Sequence, residues 1–315
     1  MSRVLLTDRI AADAVRVLES FGGIEAVSID TPSPAELLDM IGEYDAIVVR
    51  SPTHVTGDVI ERGTKLRFIG RAGVGVDNID VAAATRRGIV VINSPRSNTV
   101  STAEHTLAVM LAVAREIPRA HATVTGGKWD RDSFKGVELN GKVLGIVGLG
   151  RVGSEVAARA RAFGMTVLAT DPFVAPADAA AGIRMVSLHE LLPQADWITV
   201  HAPLVPETRG LIGAREIAAM KKGVFVINCA RGGIVDETAL ADALDSGHVA
   251  AAGLDVFEEE PPGTNRLLSH PRSVFTPHLG AATTDAQRRV ATDVAESIGL
   301  ALARGEIRDA VNTPR

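Results

Sequence analysis

Two hydrophobic periods alternate along the chain. Short β-branched runs, Val4 to Leu6, Ile24 to Ile29, Ala46 to Arg50, Leu66 to Ile69 and Ile89 to Ile92, read as strands. Between them lie stretches such as AADAVRVLES and PSPAELLDMIGEY, whose apolar residues recur three or four apart, as on one face of a helix. This alternation predicts a parallel sheet covered by helices. A longer helical signal runs from about Thr99 to Arg115, with Pro118 close behind to end it. The strand and helix periods then resume at Val143 to Val147, Thr166 to Ala169, Trp197 to Val200, Val224 to Ile227, Ala250 to Leu254 and Ser273 to Thr276. Two α/β units are therefore expected, with a last helix, Thr284 to Arg304, crossing from the second back to the first. No short-period repeat is visible.

Composition narrows the class of protein. At 315 residues the chain accommodates one large domain or two smaller ones, and 46% hydrophobic with 23% charged residues excludes a disordered or fibrous chain. A net charge of -5 provides no electrostatic footprint for nucleic acid or an anionic membrane, and 3% aromatics leaves few platforms for stacking bases. The start, MSRVLLTDRI, enters a strand-like run without the charged segment and long apolar core of a signal peptide. A cytoplasmic location is expected. The longest apolar run, Leu107 to Ala114, is too short to span a bilayer and reads as a buried helix. One cysteine forms neither an internal disulfide nor a Cys-rich zinc site, and the eight histidines show no HExxH pairing, so no metal is expected.

The stretch KVLGIVGLGRVGSEVAARARAFG carries the first chemistry. Gly148, Gly150 and Gly153 follow a strand in GxGxxG spacing and lead into a helix. The first glycine permits a tight turn, the second lets backbone amides approach a pyrophosphate, and the third lets helix and strand pack closely. Asp171, about twenty residues on, completes a dinucleotide fingerprint, because its carboxylate can accept the ribose hydroxyls. That acid would repel a 2'-phosphate, and Pro172 and Phe173 offer no cation to reverse the preference, so NAD is favoured over NADP. A second glycine-rich stretch, GRAGVGVDN, has Asn78 at the third position and reads as a loop with free amides.

Three further stretches, NCARGG, GLDVFEEEPP and TPHLGA, each follow a strand-like run and so belong at the carboxyl edge of a sheet, where ligands gather. Arg231 presents a planar fork suited to a carboxylate; a surface arginine is its bland alternative, against which Gly232 and Gly233 argue. His278 suits a proton carrier if a carboxylate holds its ring, and Glu260, before Pro261, is the chosen partner from an otherwise solvated acidic loop. Asp255 is placed at the nicotinamide, with turn capping as the alternative. Cys229 lacks a base to activate it and reads as a small apolar filler touching the cofactor, rather than a nucleophile.

Taken in order, VVRSPTHV, GRAGVGVDNID, NSPRSNTVSTAEHTLAVMLAVAR, GKWDR, GLGRVG, NCARGGIVDE, LDVFEEEPP and PHLGA resemble the D-isomer-specific 2-hydroxyacid dehydrogenase family over nearly the whole chain, most closely its phosphoglycerate-type members. The resemblance implies an α/β fold of two Rossmann-like, doubly wound parallel-sheet domains. The NAD-binding domain, residues 99–284, is inserted into a flavodoxin-like substrate domain built from 1–98 and 285–315. It also implies a homodimer joined in part by the helix near 99–117. Carried over by motif position, Arg231 binds the substrate carboxylate and carbonyl, His278 exchanges the proton and Glu260 supports it. The expected cofactor set is Gly148, Gly150, Arg151, Val152, Gly153, Asp171, His201, Ala202, Pro203, Thr208, Cys229, Ala230, Asp255, Gly280 and Ala281. For the substrate, the backbone at Val74 and Gly75 is matched to the carboxylate, and Arg50, Ser51, Arg71, Asn98 and Arg131 to the remainder, including a distal phosphate; each cation is otherwise a surface arginine.

The implied reaction is NAD-dependent interconversion of 3-phosphoglycerate and 3-phosphohydroxypyruvate. Reduction of hydroxypyruvate or glyoxylate is the alternative, and an NAD-sensing binding protein the more distant one. Two departures stand out. Val74 replaces a small polar residue of some relatives, and the sequence ends at Arg315 where many phosphoglycerate-type members continue into a regulatory ACT domain, so serine feedback through such a domain is not expected.

Overall fold

The computed structural model describes residues 1–314. The chain forms two compact units, one made of Met1–Asn98 with the segment from Ala282 onward, the other of Thr99–Ala281.

In the first unit, β1 (Ser2–Leu6), β2 (Ile24–Ser28), β3 (Ala46–Val49), β4 (Phe68–Arg71) and β5 (Val90–Asn93) form a parallel sheet in the order β2-β1-β3-β4-β5. Strand β3 shows why its sequence is uniformly apolar: Ala46 and Val48 join the core on one face, Ile47 and Val49 the core on the other. The closing helix Thr284–Arg304 is capped by the Thr283 hydroxyl, which accepts from the Ala286 amide, and ends at Gly305 with φ 69°. It lies wholly in the first unit, with Val290, Val294 and Ile298 buried in the core that also holds β1 and β3. Its approach is close enough that a Cβ on Gly70 would meet Val294 at 2.8 Å.

After this helix the chain returns to β5. Ala310 forms an antiparallel bridge to Ile92, and the Val311 amide donates to the Val91 carbonyl at 2.7 Å. The Asn312 side chain accepts from the Val91 amide and donates to the Thr85 hydroxyl and Ile89 carbonyl.

In the second unit, β6 (Val143–Val147), β7 (Thr166–Thr170), β8 (Ile183–Met185), β9 (Trp197–Val200), β10 (Val224–Asn228), β11 (Val249–Leu254) and β12 (Val274–Phe275) form a second parallel sheet, ordered β12-β11-β10-β9-β6-β7-β8. The order reverses between β6 and β9, which opens a crevice at their carboxyl ends. Strand β8 is not evident in the hydrophobic pattern because it is an edge strand of three residues, IRM, with its central arginine exposed. The long helix forms where expected, over Thr99–Ala114, but Pro118 does not simply end it: it sits in the first turn of another helix, Ile117–Thr125, where its missing N–H costs nothing. Glu116 makes the corner with φ 51°. The helix Thr99–Ala114 packs directly on β11: a Cβ on Gly253 would lie 2.4 Å from Val109.

Asn312→Ala leaves a buried Val91 amide without its acceptor. It is expected to cost about 1–3 kcal/mol, read as a lower urea midpoint for the first unit; an unchanged midpoint would show that the returning segment adds no stability.

Candidate functional site

The crevice of the second unit begins at the glycine turn. Gly148 has φ 96°, a conformation closed to L side chains, and a Cβ there would strike the His201 carbonyl at 2.7 Å. A Cβ on Gly153 would lie 2.1 Å from the Gly148 oxygen, so only glycine lets the helix Arg151–Ala162 start against the turn. Around Gly150 the opposite holds: nothing lies within 4 Å of its added Cβ. Gly150 caps the helix without a side-chain partner, leaving amides of the first turn toward open space. An open, amide-lined helix start fits a pyrophosphate. Arg151 is exposed and Val152 half-buried in that turn.

Asp171 stands immediately beyond β7. Its Oδ2 accepts from the Leu149 amide and its Oδ1 from the Phe173 amide, both at 2.8 Å. The turn and the acid are thus one hydrogen-bonded unit. Each carboxylate oxygen keeps a further lone pair for a ribose hydroxyl.

His201, Ala202 and Pro203 follow β9. The His201 amide donates to the Val147 carbonyl at 2.7 Å, and its Nε2 lies 3.0 Å from the Thr199 hydroxyl. Burial pushes the imidazole down to about 4, so it is neutral near pH 7. Thr208 donates to the Pro203 carbonyl at 2.6 Å and closes this loop on itself.

At the end of β10, the sequence reading passed over the residue that organises the arginine. Asn228 is 2% exposed; its Nδ2 donates to the Arg231 carbonyl at 2.8 Å and its Oδ1 accepts from the Ala230 amide at 3.0 Å. An asparagine one residue before a lone cysteine has no signal in sequence, because its work is done by closing a turn. The next glycine completes the placement: a Cβ on Gly232 would lie 1.8 Å from the Phe257 oxygen, so the arginine turn is pressed against the loop after β11. Arg231 is half-buried, with Nη1 on the Ala230 carbonyl. Cys229 is 4% exposed, and burial, reinforced by the charge of Asp255, pushes its thiol up to about 12. It is packing, with no accessible thiolate.

Beyond β11 and β12 the remaining motifs interlock. Asp255 is fully buried. Its Oδ1 accepts from the Thr276 hydroxyl at 2.6 Å and the Leu279 amide at 2.7 Å and lies 3.1 Å from His105 Nε2, while Oδ2 accepts from the Gly280 amide at 2.8 Å. Burial alone would raise this carboxyl, but the bonds from His105, Thr276 and Leu279 outweigh it and hold the group below its usual range. These bonds make Asp255 the cap of the turn that leads to His278. Its own carbonyl accepts from the His278 amide at 2.8 Å.

His278 adopts φ 55°, uncommon for a residue with a Cβ. Its Nδ1 lies 2.8 Å from Glu260 Oε2, and Glu260 Oε1 accepts from the Phe257 amide at 3.2 Å. The Glu260–Pro261 bond is cis. Glu258 and Glu259 remain exposed, as the solvated-loop reading describes. Phe257, Pro261, Leu268, Phe275 and Pro277 line an apolar cavity of about 400 Å³ beside the Glu260–His278 pair. Ala281 follows Gly280, half-buried.

The substrate-set residues divide between the units. In the first, Arg50 and Ser51 follow β3, and Arg71 ends β4 with Nη2 donating to the Ser51 hydroxyl at 2.8 Å. The Asn93 side chain holds the Val74 carbonyl at 2.6 Å; Gly75 follows on the same loop, half-buried. Asn98 is half-buried at the end of this unit's first segment. Arg131 belongs to the second unit, on an exposed irregular stretch.

The unfolded His201 imidazole titrates near 6.5 and the folded one near about 4, so in that window the unfolded chain binds the extra proton. Stability should therefore fall as pH drops from 6.5 toward 4. His201→Gln is expected to flatten that part of a stability-versus-pH curve; an unaltered curve would show that His201 is solvated.

Comparison with known proteins agrees with this construction. Residues 107–280 match the family model described as "D-isomer specific 2-hydroxyacid dehydrogenase, NAD binding domain". The chain is 50% identical, over its full length, to D-3-phosphoglycerate dehydrogenases of Methanocaldococcus jannaschii and Bacillus subtilis, and spans 60% and 59% of those longer proteins. Among solved structures it resembles a Thermus thermophilus protein, TM-score 0.89 at 36% identity over 98% of this chain and 100% of that one. A glyoxylate reductase from Paecilomyes thermophila gives TM-score 0.89 at 33% identity over 98% of each chain. Sequence motifs, two parallel α/β sheets and these relatives agree: the chain belongs to the D-isomer specific 2-hydroxyacid dehydrogenase family.

Proposed function

We propose that the chain interconverts 3-phosphoglycerate and 3-phosphohydroxypyruvate with NAD, the first step of serine synthesis. The observation that carries a dehydrogenase reading is the Glu260–His278 pair, 2.8 Å apart, on a loop anchored by buried Asp255. With Nδ1 directed at a carboxylate, His278 keeps Nε2 for the substrate. The carboxylate fixes the ring's orientation, so Nε2 takes the hydroxyl proton in oxidation and returns it to the carbonyl oxygen in reduction. Arg231, held by Asn228 and Gly232, offers its fork to the substrate carboxylate and polarises the carbonyl.

Gly148–Gly153 would hold NAD, which when bound would supply the hydride acceptor. Gly150 gives its phosphates room, and Asp171 takes the ribose hydroxyls and disfavours a 2'-phosphate. Gly280 and Ala281, with Ala202, Pro203 and Ala230, complete the cofactor surface.

A phosphorylated substrate is supported by the Arg50–Ser51–Arg71 cluster and by the names of the relatives at 50% identity. Asn98 and Arg131 are assigned to the same anionic end. The similarity to a glyoxylate reductase supports the competing reading, in which the distal group is unphosphorylated. A homodimer is supported by Ile117 and Val124, apolar and more than half exposed on one helix. Among the described residues no helix is long and apolar enough to cross a membrane, and we assign the chain to the cytoplasm.

His278→Ala is expected to lower turnover by about 10²–10⁴ while NADH still binds, measured by nicotinamide absorbance and fluorescence; unchanged turnover would remove His278 from the reaction. The wild-type protein should reduce 3-phosphohydroxypyruvate with a higher kcat/KM than hydroxypyruvate, and Arg50→Ala should erase most of that preference. Equal rates on the two acids in the wild type would favour the reductase reading.

A further inference from the structure

A buried carboxylate in the first unit lies outside every motif used so far. Asp8 follows β1, is 5% exposed and has φ 62°, with Arg9 next to it at φ 51°. Two successive left-handed residues with side chains are costly, although aspartate tolerates this region better than most. The turn carries the carboxylate to the carboxyl end of β3. There Oδ2 accepts from the Arg50 amide at 2.7 Å, Oδ1 from the Thr53 hydroxyl at 2.7 Å, and Oδ2 again from the Thr7 hydroxyl at 3.0 Å. These donors are neutral amide and hydroxyl groups, so the acid organises backbone rather than forming an ion pair with them.

The same turn is held from its other side. Asn78 Nδ2 donates to the Arg50 carbonyl at 2.8 Å and to the Thr53 carbonyl at 2.6 Å. Arg50 is therefore fixed through both its amide and its carbonyl, and Thr53 through its hydroxyl and carbonyl. Between them Ser51 and Pro52 stay exposed. The sheet order β2-β1-β3 reverses at this point, so the turn sits where an open α/β sheet presents ligands.

We propose that Asp8 is a positioning residue for anion recognition: with Asn78 it braces the Arg50–Thr53 turn so that Arg50 and Ser51 are preset toward the substrate's phosphate. This rests on the reading of a phosphorylated substrate given above. The brace makes an unusual electrostatic statement. A carboxylate beneath an anion site opposes the anion by charge, and its presence there is explained by geometry. Asp8→Asn separates the two effects: it removes the charge and leaves one oxygen to accept where two did.

The test compares kcat/KM for 3-phosphohydroxypyruvate and hydroxypyruvate in wild type, Asp8→Asn, Thr53→Val and Arg50→Ala, alongside amide exchange of residues 50–53. Asp8→Asn is expected to lower the phosphorylated-to-unphosphorylated ratio about tenfold, through KM for the phosphorylated acid, with kcat on hydroxypyruvate little changed. Exchange of the Arg50 amide should accelerate. Thr53→Val, which removes one hydroxyl, should move the ratio the same way by about threefold. A ratio unchanged or raised in Asp8→Asn overturns the proposal, a rise being what loss of charge alone would give; so does unchanged exchange at Arg50. If Arg50→Ala loses the preference and Asp8→Asn keeps it, the brace fails and the phosphate reading stands. If neither variant alters the ratio, the phosphate reading fails and takes the brace's role with it.

Discussion

The buried carboxylate of Asp255 is the interaction on which the reactive edge of the second unit depends. It is fully buried at the end of β11, yet serves the loop after β12 and the helix Thr99–Ala114 together. A buried acid without partners would be strongly destabilising, whereas one with several donors fixes every group that donates to it. His278 inherits its place from this arrangement, through the Asp255 carbonyl on one side and the Leu279 and Gly280 amides on the other. The His278 side chain is thus exposed while its backbone is tied to one of the most deeply buried polar groups of the unit.

The same division recurs at Arg231. Its guanidinium belongs to a turn whose carbonyl and preceding amide are held by Asn228, and whose glycine is packed against the Phe257 backbone. Phe257 in turn donates to Glu260, which faces His278. Three strand ends are therefore tied together by polar side chains and one close backbone contact at Gly232. Charged groups held in this way are preorganised, the condition under which an electrostatic site needs no reorganisation.

Much of this was legible in the sequence for definite reasons. Strands such as Ile47–Val49 announce themselves because both sheet faces are covered, so each residue is apolar. Gly148, Gly150 and Gly153 are legible because their spacing encodes a local turn that needs no distant partner. Asn228, Asp8 and Asn78 were not, since their roles exist only through space: Asp8 meets Arg50 across 42 residues and Thr53 across 45. Pro118 shows the limit of a local signal, for proline both ends a helix and starts one, and only the following residues' packing decides. At Asp255 the sequence left two roles open, a cofactor contact and a turn cap. A motif marks an acid as important without saying which of its neighbours it serves.

The returning segment at Ala310–Asn312 has a consequence beyond the stability of its own unit. Strand β5 is the last of its sheet, and an uncovered outer strand offers unpaired amides and carbonyls to any other extended chain. By bridging Ile92 and capping Val91, this segment occupies that template. Its loosening would make β5 a site for adventitious strand addition between molecules, so the few residues after the closing helix guard the solubility of the protein as much as its fold.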